Sequence, residues 1–168
     1  MDVLDFAMQM EIDGRDYYQK NAEATDNPHL KQIFEKLAEE EHRHLHVFKK
    51  MKEGAEASPD DLAPKGETVG LFKNVFQQMV DAGKEQLEGE TKTDVWKDAR
   101  EVEIKSEKMY RESAEKASDE NKKDMLNRIA DEEQNHIYLI DNMIQFLADP
   151  QAFVASQDYK NFMSWEGR

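Results

Sequence analysis

Cysteine is absent from the 168 residues. Disulfides, thiolate zinc sites, iron–sulfur clusters and any Cys-x-x-Cys iron site are therefore excluded within this chain, and redox electrons would have to arrive from a separate carrier. Basic residues are in deficit: 23 Lys and Arg stand against 37 Asp and Glu, a formal net charge of -14. A surface of that sign repels nucleic-acid phosphates and anionic lipid, so neither is expected as a partner. Long apolar runs are missing too, with nothing near the roughly 18 residues of a membrane span. The start, Met1-Asp2-Val3-Leu4-Asp5, lacks the basic and apolar segments of a secretion signal, and a soluble cytoplasmic protein is expected.

What is present is phase. Apolar residues make up only 38% of the chain and charged ones 36%, but the apolar ones recur at helical spacing, the pattern of long helices with one buried stripe. From Asp2 to about Thr25 the stripe is Leu4, Ala7, Tyr18 and Ala22, with Glu11 and Gly14 on the same face. Asp26-Asn27-Pro28 ends it, because the residue before proline avoids the helical region. A second helix, about His29 to Gly54, carries Leu30, Phe34, Leu37, Glu41, His44, Phe48 and Met51, spaced alternately four and three as in a bundle seam. So short a turn makes the two helices antiparallel neighbours, and Glu11 and Glu41 lie equally far from it, level across the hairpin.

Residues 55–92 are too long for a hairpin turn. They predict a crossover returning along the bundle, with a short amphipathic helix over Val69–Val80. A third long helix is expected from about Thr93 to Ala117, along Trp96, Ala99, Glu103, Ser106, Tyr110 and Ala114. Ser118-Asp119 breaks and caps, and a fourth helix runs to about Ala148 along Leu126, Ile129, Glu133, His136, Ile140, Met143 and Leu147. Asp149-Pro150 stops it and leaves a tail, 149–168, containing Phe153, Tyr159, Phe162 and Trp165. The whole, 1–168, is expected to be a single all-α domain. Phe72, Phe76, Phe162 and Trp165 are expected either to fold back over the bundle or to form the surface of a homodimer.

The two hairpins, about 2–54 and 93–148, repeat each other at a constant offset of 92. Ala7 corresponds to Ala99, Glu11 to Glu103, Tyr18 to Tyr110, Leu37 to Ile129, Glu40 to Glu132, Glu41 to Glu133 and His44 to His136. Internal duplication of a hairpin is the simplest origin. Packed about a pseudo-two-fold axis, the repeats bring Glu11, Glu41, His44, Glu103, Glu133 and His136 to one level. Four carboxylates and two imidazoles, with two Glu-x-x-His units, match the ligand set of ferritin-like di-iron and di-manganese bundles. An ionised carboxylate in a bundle seam is costly unless its charge is opposed, and two divalent cations would balance the four. Mixed oxygen and imidazole ligation favours iron first, then manganese or zinc. A solvated face is the alternative, but it would turn Leu37, Phe48, Ile129 and Ile140 into water with the six groups.

Tyr18 and Tyr110 are expected either to donate hydrogen bonds to metal-bound carboxylates or to pack with their hydroxyls satisfied elsewhere. Gly14 and Ser106, one turn beyond Glu11 and Glu103, leave room for an exogenous ligand or permit close helix packing. Glu39, Glu40, His42, His46 and Glu132 lie off the seam and are expected at the surface, and His29 at a helix start.

The Tyr17-Tyr18 helix bearing Glu11, the segment Leu37-Ala38-Glu39-Glu40-Glu41-His42-Arg43-His44, and their second-half counterparts resemble the rubrerythrin branch of the ferritin-like superfamily over residues 2 to 148. The resemblance implies an antiparallel four-helix bundle, Glu41 and Glu133 as bridging ligands, and Glu11 with His44 on one iron and Glu103 with His136 on the other. It further implies a redox protein that oxidises Fe(II) with hydrogen peroxide or O2, supplied by a separate electron donor such as a rubredoxin-like protein. Ser106 stands where the family carries an additional glutamate tied to peroxide reduction, so that part of the likeness does not carry over. Iron storage, or a non-catalytic metal-binding bundle, are the alternatives.

Overall fold

A computed structural model of the chain describes residues 2–83, Leu87 and 93–168. Helices α1 (Val3–Ala24) and α2 (Pro28–Lys52) are parted by three residues, Thr25, Asp26 and Asn27. Asn27 caps α2, its side-chain oxygen accepting from the backbone N–H groups of His29 at 2.9 Å and Leu30 at 3.1 Å, and Pro28 takes the first helical position, where it sacrifices no hydrogen bond. Helix α2 thus starts one residue earlier than its periodicity suggested. Asn27→Ala is expected to cost about 1 kcal/mol, a fall in melting temperature of roughly 2–4 °C for a chain this long, with metal content unchanged; calorimetry on the variant checks it.

The crossover begins with a 3-10 turn at Pro59–Asp61 and enters α3 (Glu67–Ala82) through Gly66, whose φ of +86° suits a residue without a Cβ. Helices α4 (Asp94–Lys116) and α5 (Glu120–Ala148) form the second hairpin, with Asp119 capping α5 by accepting from the Lys122 N–H at 3.2 Å. Two short helices follow, α6 (Pro150–Val154) and α7 (Gln157–Ser164). The described residues are all-α, a ferritin-like antiparallel bundle with no strand. None of their helices is long and apolar enough to cross a membrane.

The stripes identified in the sequence face inward. Ala7, Glu11, Gly14, Tyr18 and Ala22 are the buried residues of α1, and Trp96, Ala99, Glu103, Ser106, Tyr110 and Ala114 are those of α4. Two apolar clusters result, one at each end of the bundle. One gathers Leu30, Phe34, Leu37, Trp96, Ile140 and Met143 with the aromatic residues of α3 and the tail; the other gathers Phe48, Met51, Leu62, Met125, Leu126 and Ile129. The polar layer lies between them. Phe72, Phe76 and Phe162 are fully buried, and Phe76 meets the rings of Phe162 at 4.6 Å and Phe146 at 5.6 Å. Trp165 packs on Tyr138 at 4.7 Å, and Lys73 donates to its carbonyl at 2.8 Å. The aromatic residues fold back over the bundle, and the exposed large apolar side chains among the described residues are instead Val3, Phe6 and Val102.

Helix α2 buries more than its seam. Lys36 and Glu40 are buried as well, on the flank that α3 covers, where they meet Glu67 at 3.5 Å and Thr68 at 2.6 Å. This overturns the surface placement of Glu40, which is only 2% exposed. The periodicity of α2 marks the face toward α1 and α5 and carries no sign of a helix docking beside it.

Candidate metal centre

Each of the four long helices gives this level one glutamate, and α2 and α5 each add a histidine one turn on. All six side chains, Glu11, Glu41, His44, Glu103, Glu133 and His136, are at most 3% exposed. Their atoms form two overlapping groups, each with all ligand atoms within 4.8 Å of one another: Glu11, Glu41, His44 and Glu133, and Glu41, Glu103, Glu133 and His136. Glu41 and Glu133 belong to both. His44 Nδ1 lies 2.9 Å from Glu133 Oε1, 3.5 Å from Glu11 Oε2 and 3.9 Å from Glu41 Oε1. On the other side His136 Nδ1 lies 3.3 Å from Glu41 Oε1, 3.4 Å from Glu103 Oε1 and 3.9 Å from Glu133 Oε1.

Whether these residues suit a metal is tested by their own hydrogen bonding. Buried polar atoms are nearly always paired. Here every one of the six side chains has a buried atom with no hydrogen-bond partner, and in Glu133 both oxygens are so left. These unpaired atoms, Glu11 Oε2, Glu41 Oε1, Glu103 Oε2, Glu133 Oε1 and Oε2, His44 Nδ1 and His136 Nδ1, are donors of the type that two first-row divalent cations accept. The residues fit.

Without cations, protons are drawn to the layer. Burial, then the Glu103 and Glu11 charges, push the Glu41 carboxyl well above its ordinary range, and burial with Glu103 and Glu41 does the same to Glu133. Burial disfavours the imidazolium of His44, yet Glu11, Glu132 and Glu133 outweigh it and hold the ring's pKa well above normal; Glu103, Glu40 and Glu41 do so for His136. Glu103 goes the other way. Burial opposes its ionisation, but the His136 charge first, then the closeness of Glu133 and the Tyr18 hydrogen bond, bring it down to about 2.

The tyrosines cross between hairpins. Tyr18 on α1 donates to Glu103 Oε1 on α4 at 2.6 Å, and Tyr110 on α4 donates to Glu11 Oε1 on α1 at 2.5 Å. Each hydroxyl occupies one carboxylate oxygen and leaves the other buried without a partner, so both phenols are satisfied by carboxylates of the layer rather than elsewhere. Gly14 has a definite role: a Cβ there would stand 3.0 Å from Glu41 Oε2, so the missing side chain is the space the carboxylate occupies. Its counterpart Ser106 is 3% exposed and donates its hydroxyl to the Val102 carbonyl of its own helix at 3.0 Å.

Two carboxylates assigned to the surface lie just outside the six. Glu40 Oε2 is 2.8 Å from His136 Nε2, and its other oxygen accepts the Thr68 hydroxyl of α3 at 2.6 Å. Glu132, its counterpart in the repeat, is half-buried, with Oε2 enclosed and 3.6 Å from His44 Nε2. Both expectations are corrected. A usable signal existed in the pairing of two acids at the repeat offset, Glu40 with Glu132, each four residues before the histidine of its own helix; nothing in the sequence marked Thr68. Glu39, His42 and His46 are exposed as expected, and His29 sits in the first turn of α2.

A pair of duplicated hairpins that meet across four glutamates and two histidines, each imidazole facing the layer through one nitrogen and an outer carboxylate through the other, defines the class of ferritin-like carboxylate bundles. The family model described as Rubrerythrin matches residues 2–145, and the chain belongs to that family. The family is one of di-iron carboxylate proteins and typically binds iron. No curated protein and no solved structure matches the chain.

Proposed function

We propose that the protein is a rubrerythrin-like di-iron redox protein that oxidises Fe(II) with hydrogen peroxide or O2 and is re-reduced by a separate electron carrier. The observation that carries this reading is the buried pair of four-residue groups sharing Glu41 and Glu133. Glu11 and His44 would hold one iron, Glu103 and His136 the other, and Glu41 and Glu133 would lie between them. Two such ions supply one electron each, which matches the two-electron demand of a peroxide bond.

The chain's own residues set the conditions for that chemistry. Tyr18 and Tyr110 fix the orientation of Glu103 and Glu11 and keep a phenolic proton at each. The apolar clusters above and below exclude bulk water from the layer. A cavity of about 190 Å³ runs between α1 and α4, with Tyr17, Tyr18, Ala99 and Val102 among its walls, and it reaches Glu41 and Glu103. Its apolar walls suit a small neutral oxidant better than an anion. The lack of cysteine within the chain is the reason a separate carrier is invoked.

Stopped-flow absorbance of the anaerobically Fe(II)-loaded protein mixed with hydrogen peroxide, and separately with O2, tests the proposal. Oxidation with one of them is expected to outpace that of free Fe(II) by at least about 10²-fold, a factor typical of positioned catalytic groups. A rate no faster than free Fe(II) with both oxidants rules it out and leaves a metal-binding bundle.

A further inference from the structure

The two halves of the layer differ, and the difference lies outside the six converging groups. Glu40 is 2.8 Å from His136 Nε2 and is itself held by the Thr68 hydroxyl at 2.6 Å. On the other half, Glu132 Oε2 stands 3.6 Å from His44 Nε2, and neither atom has a hydrogen-bond partner. The Glu132 side chain is 14% exposed against 3% for Glu40. Both line a cavity of about 30 Å³, enough to admit a water molecule.

The cause is topological. Glu40 and Glu132 hold equivalent positions in the two repeats, but the crossover occurs once, and its helix α3 lays Thr68 against Glu40 alone. An imidazole whose far nitrogen bonds an anchored carboxylate is held in one tautomer and one orientation and becomes the stronger donor through its other nitrogen. His136 meets that condition, with Nδ1 turned to the layer, while neither nitrogen of His44 makes a hydrogen bond.

We propose that the two metal positions have unequal affinity: the one formed by Glu41, Glu103, Glu133 and His136 fills first, because Glu40, set by Thr68, pre-positions His136. The position at Glu11, Glu41, His44 and Glu133 fills second and is the exchangeable one. Glu40 and Thr68 are positioning residues, acting through His136 without touching the ion. The inference rests on the metal-centre reading above and adds an order to it.

Mutual repulsion splits the affinities of even identical neighbouring positions, so a two-step isotherm decides nothing, and a site-resolved measurement is needed. The metal-free full chain, labelled with 15N-histidine, is titrated with Zn(II), which is redox-inert and diamagnetic, and the ring nitrogens of His44 and His136 are followed by NMR. His136 is expected to complete its shift by the first equivalent and His44 by the second. In Glu40→Ala the His136 position should weaken by about 10–100-fold, so the order collapses or inverts, whereas Glu132→Ala preserves it. Thr68→Val, close in volume, should narrow the gap and keeps the test available where Glu40→Ala does not fold. Histidines that shift in parallel in the native chain, His44 shifting first, or an unchanged order in both Glu40→Ala and Thr68→Val would overturn the proposal. No shift of either histidine in the native chain defeats the metal-centre reading itself, a separate and distinguishable result.

Discussion

Replacing Glu41 with leucine is expected to abolish binding of both metal ions while leaving the metal-free protein at least as stable as its parent. Both halves of the prediction follow from the same side chain. Glu41 belongs to each of the two ligand groups, so its loss removes a donor from both at once. Its Oε1 has no hydrogen-bond partner, and its nearest imidazole nitrogen is 3.3 Å away without hydrogen-bond geometry, so leucine breaks no formed bond. Burial and the Glu103 and Glu11 charges draw a proton to this carboxyl in the metal-free layer, so leucine replaces a group with an unpaired buried oxygen, an exchange that is neutral or favourable by about 1–3 kcal/mol. For a chain of this length that is an unchanged melting temperature or a rise of up to about 10 °C. Elemental analysis and calorimetry on one preparation check the two halves together. A variant that still binds two metals, or one that melts far lower in the metal-free state, contradicts the assignment.

Loading the native protein should produce a large stabilisation. A ligand that binds only the folded state contributes about 4 kcal/mol at a thousandfold excess over its dissociation constant. Two ions therefore supply roughly 8 kcal/mol, which at about 2–4 °C per kcal/mol lifts the melting temperature by roughly 15–30 °C. Chelation should return it to the starting value. The effect has a pH sign. Glu41, Glu133, His44 and His136 all have raised pKa values in the metal-free layer, so they retain protons that binding must expel. Affinity therefore rises with pH, and at fixed Zn(II) or Mn(II) the gain should be larger near about pH 8 than near about pH 6. Scanning calorimetry at the two pH values measures it; a gain that shrinks as pH rises, or no gain at all, removes these groups as ligands.

Most of the bundle was legible because a long helix states its buried face in its spacing. The alternating steps from Leu30 to Met51 put Glu41 and His44 in the seam, and both are buried there. What escaped were contacts made by a second face. Glu40 lies off the seam of α2 and is buried only because α3 covers that flank, and nothing in the spacing of either helix says where the crossover will come to rest. The aromatic residues of α3 and the tail could be recognised as one side of an interface, whereas their mutual packing through Phe76 and Phe162 depends on the path of the chain after Pro150. Gly14 was ambiguous for a related reason: the atom it makes room for, Glu41 Oε2, belongs to another helix.

The duplicated hairpins have one more consequence. Each contributes three of the six ligands, half a centre, and two separate copies of one hairpin would in principle suffice to build it. Joining them through residues 55–92 turns an association into an intramolecular closure, with an effective concentration in the millimolar range or above for a linker that spans the sites. Formation of the centre then no longer depends on how much protein is present. A homodimer of identical hairpins would also be bound to keep its halves alike. Within one chain that constraint is lifted: the linker can bond equivalent positions of the two halves differently, and Thr68 does so at Glu40.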